Sequence, residues 1–127
     1  MAHYTLSRAA ERDIASILTW THDHFGESAR RRYEELIVQA IIDVADDPER
    51  PGSAARNEVS RGARTYHLGH SRNRVAISRG RVRRPRHFLL YRATDKNRIE
   101  IGRVLHDSMD LAVHLPPEYR SAPGDSH

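Results

Sequence analysis

The chain has 127 residues, a net charge of +4 and no cysteine. That length supports one domain with a single modest core, and the missing cysteines exclude disulfides and thiol chemistry. Its apolar runs are a few residues each, too short to span a membrane; residues 1–13 lack a signal-peptide pattern, so a cytoplasmic protein is expected.

Tyr4-Thr5-Leu6 alternates as a short opening strand, and Ser7 is placed to cap a first helix. Ala10, Ile14, Ile17, Leu18 and Thr21 recur at helical spacing until Gly26 stops that helix. Ser28 can cap a second helix with the stripe Ala29, Tyr33, Leu36, Ile37, Ala40, Ile41 and Val44, closed by Pro48. Two amphipathic helices joined so tightly must fold back on one another, which predicts an antiparallel helical hairpin. Pro51–Gly62 reads as a loop and Ala63–Leu68 as a strand. Gly69–Arg86 reads as a basic loop or small hairpin around Arg79-Gly80, which Pro85 ends or confines to a sheet edge. Two further strands, Arg86–Arg92 and Ile99–His106, flank the polar turn Ala93–Arg98. A short helix or turn then reaches Val113, and Leu115-Pro116-Pro117 closes the domain.

Helices first and strands after predict an α+β domain, its hairpin packed on a small twisted antiparallel β-sheet. One domain over residues 1–117 is expected, with 69–86 as a basic insertion and 118–127 as a flexible tail.

Every Lys or Arg position except Lys96 is arginine. Its planar fork binds carboxylates and phosphates bidentately, so an acidic protein and a nucleic acid both fit as partners. Alternation gathers several of Arg64, Tyr66, His67, Tyr91, Arg92, Arg103 and His106 on one sheet face. Such a face suits phosphates and bases; a catalytic version would use His106 as acid or base and Arg64 and Arg103 to stabilise a phosphorane. The competing reading buries the aromatic rings and pairs the arginines with acids. Arg103 shares its parity with Ile99, Ile101 and Leu105, so it heads for the apolar side unless the strand bulges, and it needs an acceptor such as Glu100 or Asp110. His67 and His70 on a strand would diverge, as would His22 and His24 on a helix, so no metal site and no cofactor are expected. Arg30-Arg31-Arg32 reads as a solvated helix face.

The order Tyr4-x-Leu6-Ser7, Asp13-Ile14-x-x-Ile17, Phe25-Gly26, Gly62-x-Arg64-x-Tyr66, Leu90-Tyr91-Arg92 and Ile101-x-Arg103-Val104-Leu105-His106-x-x-Met109-Asp110 resembles the ParE branch of the RelE/ParE toxins. The resemblance implies a type II toxin with the helical-hairpin-on-sheet fold and a cognate ParD-like antitoxin that neutralises it. It also implies inhibition of DNA gyrase by protein–protein binding rather than catalysis. RelE-type relatives cut mRNA on the ribosome instead, and an inactive antitoxin-binding module is a third possibility. Asp107 stands where the ribonuclease pattern would favour an aromatic, and lysine is nearly absent, which turns the expectation toward gyrase. Arg64, Tyr66, Tyr91, Arg92, Arg103, His106, Met109 and Asp110 are the candidate antitoxin- or target-binding residues. Direct nucleic-acid binding takes second place.

Overall fold

The computed structural model describes residues 3–75, 80–95, 97–109 and 111–119. Strand β1 (His3–Leu6) leads into α1 (Arg8–Phe25) and α2 (Glu27–Asp46), followed by β2 (Ser53–Ala55), β3 (Arg64–His67), β4 (His87–Asp95) and β5 (Arg98–His106). The five strands form one sheet in the order β1-β5-β4-β3-β2, antiparallel except where β1 runs parallel to β5. This is the expected α+β fold. The parallel pair follows from connectivity, because the whole helical hairpin lies between β1 and the remaining strands.

The predicted stripe of α2 is the heart of the core. Tyr33, Leu36, Ile37, Ala40, Ile41 and Val44 are buried against Tyr66, Leu89, Tyr91, Ile99 and Ile101. Each fully buried aliphatic side chain contributes about 1.5–3 kcal/mol. Helix α1 is more peripheral: its Ile14, Ile17 and Leu18 are only half-buried. The α1 cap is as expected, the Ser7 hydroxyl accepting from the Ala10 N–H at 3.0 Å. The α2 cap is not. The helix starts at Glu27, with Gly26 at φ 91° as its cap and no side-chain cap hydrogen bond, so Ser28 lies inside the first turn. A positive φ is what glycine permits, and it makes so short a corner possible.

Two further boundaries moved. The segment 51–62, expected to be all loop, contains edge strand β2, whose Ser53, Ala54 and Ala55 pair with Tyr66, Thr65 and Arg64. The polar turn after β4 is shorter than expected, because pairing runs on to Asp95 and Arg98.

Beyond β5 the chain makes short 3₁₀ turns at Leu111–His114 and Pro117–Tyr119 across the sheet face away from the helices. There Ala63, Leu90 and Tyr119 form a second small apolar cluster with Leu111 and Leu115. Tyr119 is 3% exposed, and its carbonyl accepts from the Ser60 hydroxyl at 2.7 Å. The packed body therefore continues past Pro117.

Candidate functional site

The register of β5 decides where its charged residues go. Leu90 pairs with Arg103 and Tyr91 with Ile101, so Gly102 is an extra residue in a bulge. The bulge resets the alternation: Ile99, Ile101 and Val104 join the helix-facing core, and Arg103 turns out of it. Its partner is neither Glu100 nor Asp110, which lies outside the described residues. Arg103 instead donates from Nε and Nη2 to both carboxylate oxygens of Asp13, at 2.6 and 2.9 Å, and from Nη1 to the His114 carbonyl at 2.7 Å. Asp13 also accepts from the Val104 N–H at 3.0 Å, and the Ser7 hydroxyl donates to the Gly102 carbonyl at 2.7 Å. Side chains from the start of α1 thus satisfy the β5 edge beyond the end of β1.

The expected Arg/Tyr/His face divides in two. Tyr66 and Tyr91 are completely buried on the helix side. Tyr91 donates to the Pro48 carbonyl at 2.6 Å, and burial raises its pKa. Arg64 shares that carbonyl through Nε at 3.0 Å and reaches the Ser53 hydroxyl through Nη2 at 2.8 Å. Tyr66 donates to Ser71, whose own hydroxyl donates to the buried Asp43 carboxylate at 2.6 Å. On the opposite face, Arg92 lies 4.3 Å from the Tyr119 ring centroid, and Met109, 44% exposed, borders an open cleft of about 530 Å³. Arg56, Thr65, His67, His70, Phe88 and Asp107 also line that cleft. His67 and His70 share it because β3 ends at His67 and the chain enters a 3₁₀ turn (Leu68–Ser71), which corrects the expected divergence.

The structure gathers a polar cluster where β4 starts and β5 ends, of which the sequence singled out only His67 and His106 as candidates. His87 and His106 are cross-strand partners with rings 5.3 Å apart at near right angles. The Arg86 N–H donates to the Tyr33 hydroxyl at 3.1 Å, and that hydroxyl shares a 2.6 Å hydrogen bond with His87 Nδ1, its direction set by the imidazole tautomer. Burial depresses the His87 pKa to about 4 and raises that of Tyr33 to about 12, so both groups are neutral in the pair near pH 7. Asp107 receives Arg86 at 3.1 Å and His67 at 3.1 Å, and the Arg86 hydrogen bond is the main reason its pKa is lowered. His67 and His106 each use Nδ1 to accept the backbone N–H two residues on, from Gly69 and Ser108. These imidazoles serve as turn formers.

The three residues of the catalytic expectation do not meet. Arg64 and His106 pair with Tyr91 and His87 of β4, four residues and so about 13 Å apart along the strand. Arg64 and Arg103 are each committed to structural acceptors. Among the described residues no group of three or more metal-ligating side chains is placed to hold an ion.

Exposed apolar side chains lie on the helical hairpin instead. Trp20 is 54% and Phe25 67% exposed, their rings 5.7 Å apart edge to face, and His24 stacks on Trp20 at 4.1 Å. Val38 and Ile42, one turn apart on α2, are also exposed. Trp20, Val38 and Ile42 fall off the core stripes, the signal by which the sequence could have shown them, whereas Phe25 continues the α1 stripe four residues after Thr21.

The family description "ParE toxin of type II toxin-antitoxin system, parDE" matches residues 4–111. The chain belongs to the ParE toxin family. It is 30% identical over 114 residues to proteins named Toxin ParE1 from two strains of Mycobacterium tuberculosis, covering 90% of this chain and 98% of each relative. Membership of this toxin–antitoxin family implies an antitoxin as partner. No helix among the described residues is long and apolar enough to cross a membrane.

Proposed function

We propose that this ParE-family chain poisons DNA gyrase by binding it, without catalysis, and that a ParD-like antitoxin neutralises it by covering the same molecule. The observation that carries the reading is the commitment of Arg64 and Arg103 to structural acceptors, apart from one another and from His106. A ribonuclease needs such groups free and convergent at about 3 Å from a reacting atom. What the molecule exposes is apolar contact area, with Trp20, Phe25, Val38 and Ile42 on the hairpin and Met109 beside the open cleft. Aromatic and aliphatic anchors of this kind supply most of the energy in protein interfaces. The antitoxin fits as an amphipathic segment on the hairpin with an extended stretch over the sheet.

A supercoiling assay tests the reading. Purified toxin should abolish gyrase supercoiling, and the antitoxin should restore it. Unimpaired supercoiling at excess toxin, with mRNA cleaved on programmed ribosomes, would replace this reading by the ribonuclease one.

A further inference from the structure

The net charge of +4 conceals a strong asymmetry. Residues 69–86 hold seven arginines and no carboxylate, so the rest of the chain is net −3. The described part of this segment is also held in place rather than left as a solvated arm. At its base, Ser71 and Arg74 both bond to the Asp43 carboxylate of α2, at 2.6 and 2.9 Å. The Arg72 guanidinium donates to the Arg83 carbonyl at 2.8 Å, tying the incoming limb to the outgoing one. Val75 and Val82 pack against the main core, and Pro85 is buried. At its end, Arg86 is clamped by Asp107. Val75, Val82 and Pro85 point inward, and Arg81, Arg83 and Arg84 are exposed, with no carboxylate of the described residues in ion-pair range. Gly80 lies over α2, within 3.6 Å of the Arg32 side chain from an added Cβ, which brings the loop beside the second arginine run.

We propose that this arginine loop docks on the phosphate backbone of double-stranded DNA, independently of the gyrase reading. A protein partner needs apolar anchors in the centre of its contact, and residues 80–86 expose none, since Val82 and Pro85 face inward. Single-stranded RNA is recognised by stacking bases on aromatic rings, and duplex RNA largely through 2′-hydroxyls. Residues 80–86 contain neither an aromatic nor a hydroxyl side chain. What remains is guanidinium alone, the group that neutralises and forks onto phosphate. Arg81 to Arg84 span at most about 10 Å of chain, roughly three base-pair rises, so all three reach neighbouring phosphates of one groove edge. The sequence ranked nucleic acid second because the ParE resemblance implied protein binding, and its candidate nucleic-acid face included Tyr66 and Tyr91. Those rings are buried, and the charge is presented elsewhere.

The test is fluorescence anisotropy of the full chain with a labelled mixed-sequence DNA duplex across a salt series. Three phosphate contacts contribute about 2.7 to the slope of log affinity against log salt. Wild type should therefore lose about 40-fold more affinity between 50 and 200 mM salt than the triple variant Arg81→Gln, Arg83→Gln, Arg84→Gln. Arg8→Gln, Arg12→Gln, Arg98→Gln removes the same charge from other exposed positions and should keep the wild-type slope. Unchanged melting temperatures would show that both variants fold. An equal slope in the loop variant and wild type, tighter binding of single-stranded RNA at matched salt, or capture of an acidic peptide without capture of DNA would each overturn the proposal.

Discussion

At the scale of single residues, the most consequential contact joins Asp13 to Arg103 across ninety positions of sequence. Both side chains are largely buried, and the carboxylate also serves the Val104 N–H. Removing it strands a guanidinium and a backbone donor together, which makes Asp13→Ala destabilising by about 2–4 kcal/mol in urea unfolding. A loss below about 0.5 kcal/mol would show that water replaces the carboxylate freely. His87 makes a second residue-scale prediction. The unfolded imidazole takes its proton near 6.5 and the native one near 4, so unfolding binds a proton between those values. Stability is then full above pH 6.5 and falls as the pH drops toward 4, by about 1 kcal/mol between pH 7.5 and 5 after discounting partial exposure. Asp107, lowered chiefly by Arg86, adds a loss further down, as the pH falls below the ordinary carboxylate pKa of 3.8. His87→Gln keeps a hydrogen-bond partner for Tyr33 and should flatten the pH 5–7.5 part of the curve. The same slope in that variant would remove His87 from the account. Asp13 was visible in the sequence as a motif residue but not as a partner, because nothing local links it to a strand ninety residues away.

At the scale of elements, the stripes of both helices and four of the five strands were legible, since burial on one face imposes its period on the residues. Strand β2 was not. Ser53-Ala54-Ala55 has no β-branched or aromatic residue, and it takes an extended form only through pairing with β3. The direction of Tyr66 and Tyr91 was equally hidden, because a tyrosine suits either face and only the register settles which. The Gly102 bulge decides the same question for Arg103. An added Cβ at Gly102 would meet the Tyr119 ring at 2.9 Å, so this glycine lets the C-terminal turn lie against the sheet. Gly102→Ala should cost about 1–3 kcal/mol, and much less in a Tyr119→Ala background, where the clash is gone. Additive losses in the double variant would mean that the bulge itself, not the ring, requires glycine.

At the scale of the whole molecule, the proposed binding surfaces are the hairpin and the arginine loop, while the residues first expected to form a site mostly hold the fold together. The exposed hairpin aromatics should matter for association and little for stability. Trp20→Ala with Phe25→Ala is expected to weaken antitoxin binding at least tenfold in calorimetry and leave unfolding within about 1 kcal/mol of wild type. Unchanged affinity would move the antitoxin off this surface. The proposed stoichiometric binding of gyrase is distinguished from catalysis by the kinetics of inhibition. Supercoiling should fall in proportion to added toxin until the two are near equimolar, with no further loss on longer incubation, and His106→Gln should inhibit as well as wild type. Progressive inactivation at a small fraction of the gyrase concentration, abolished by His106→Gln, would contradict it.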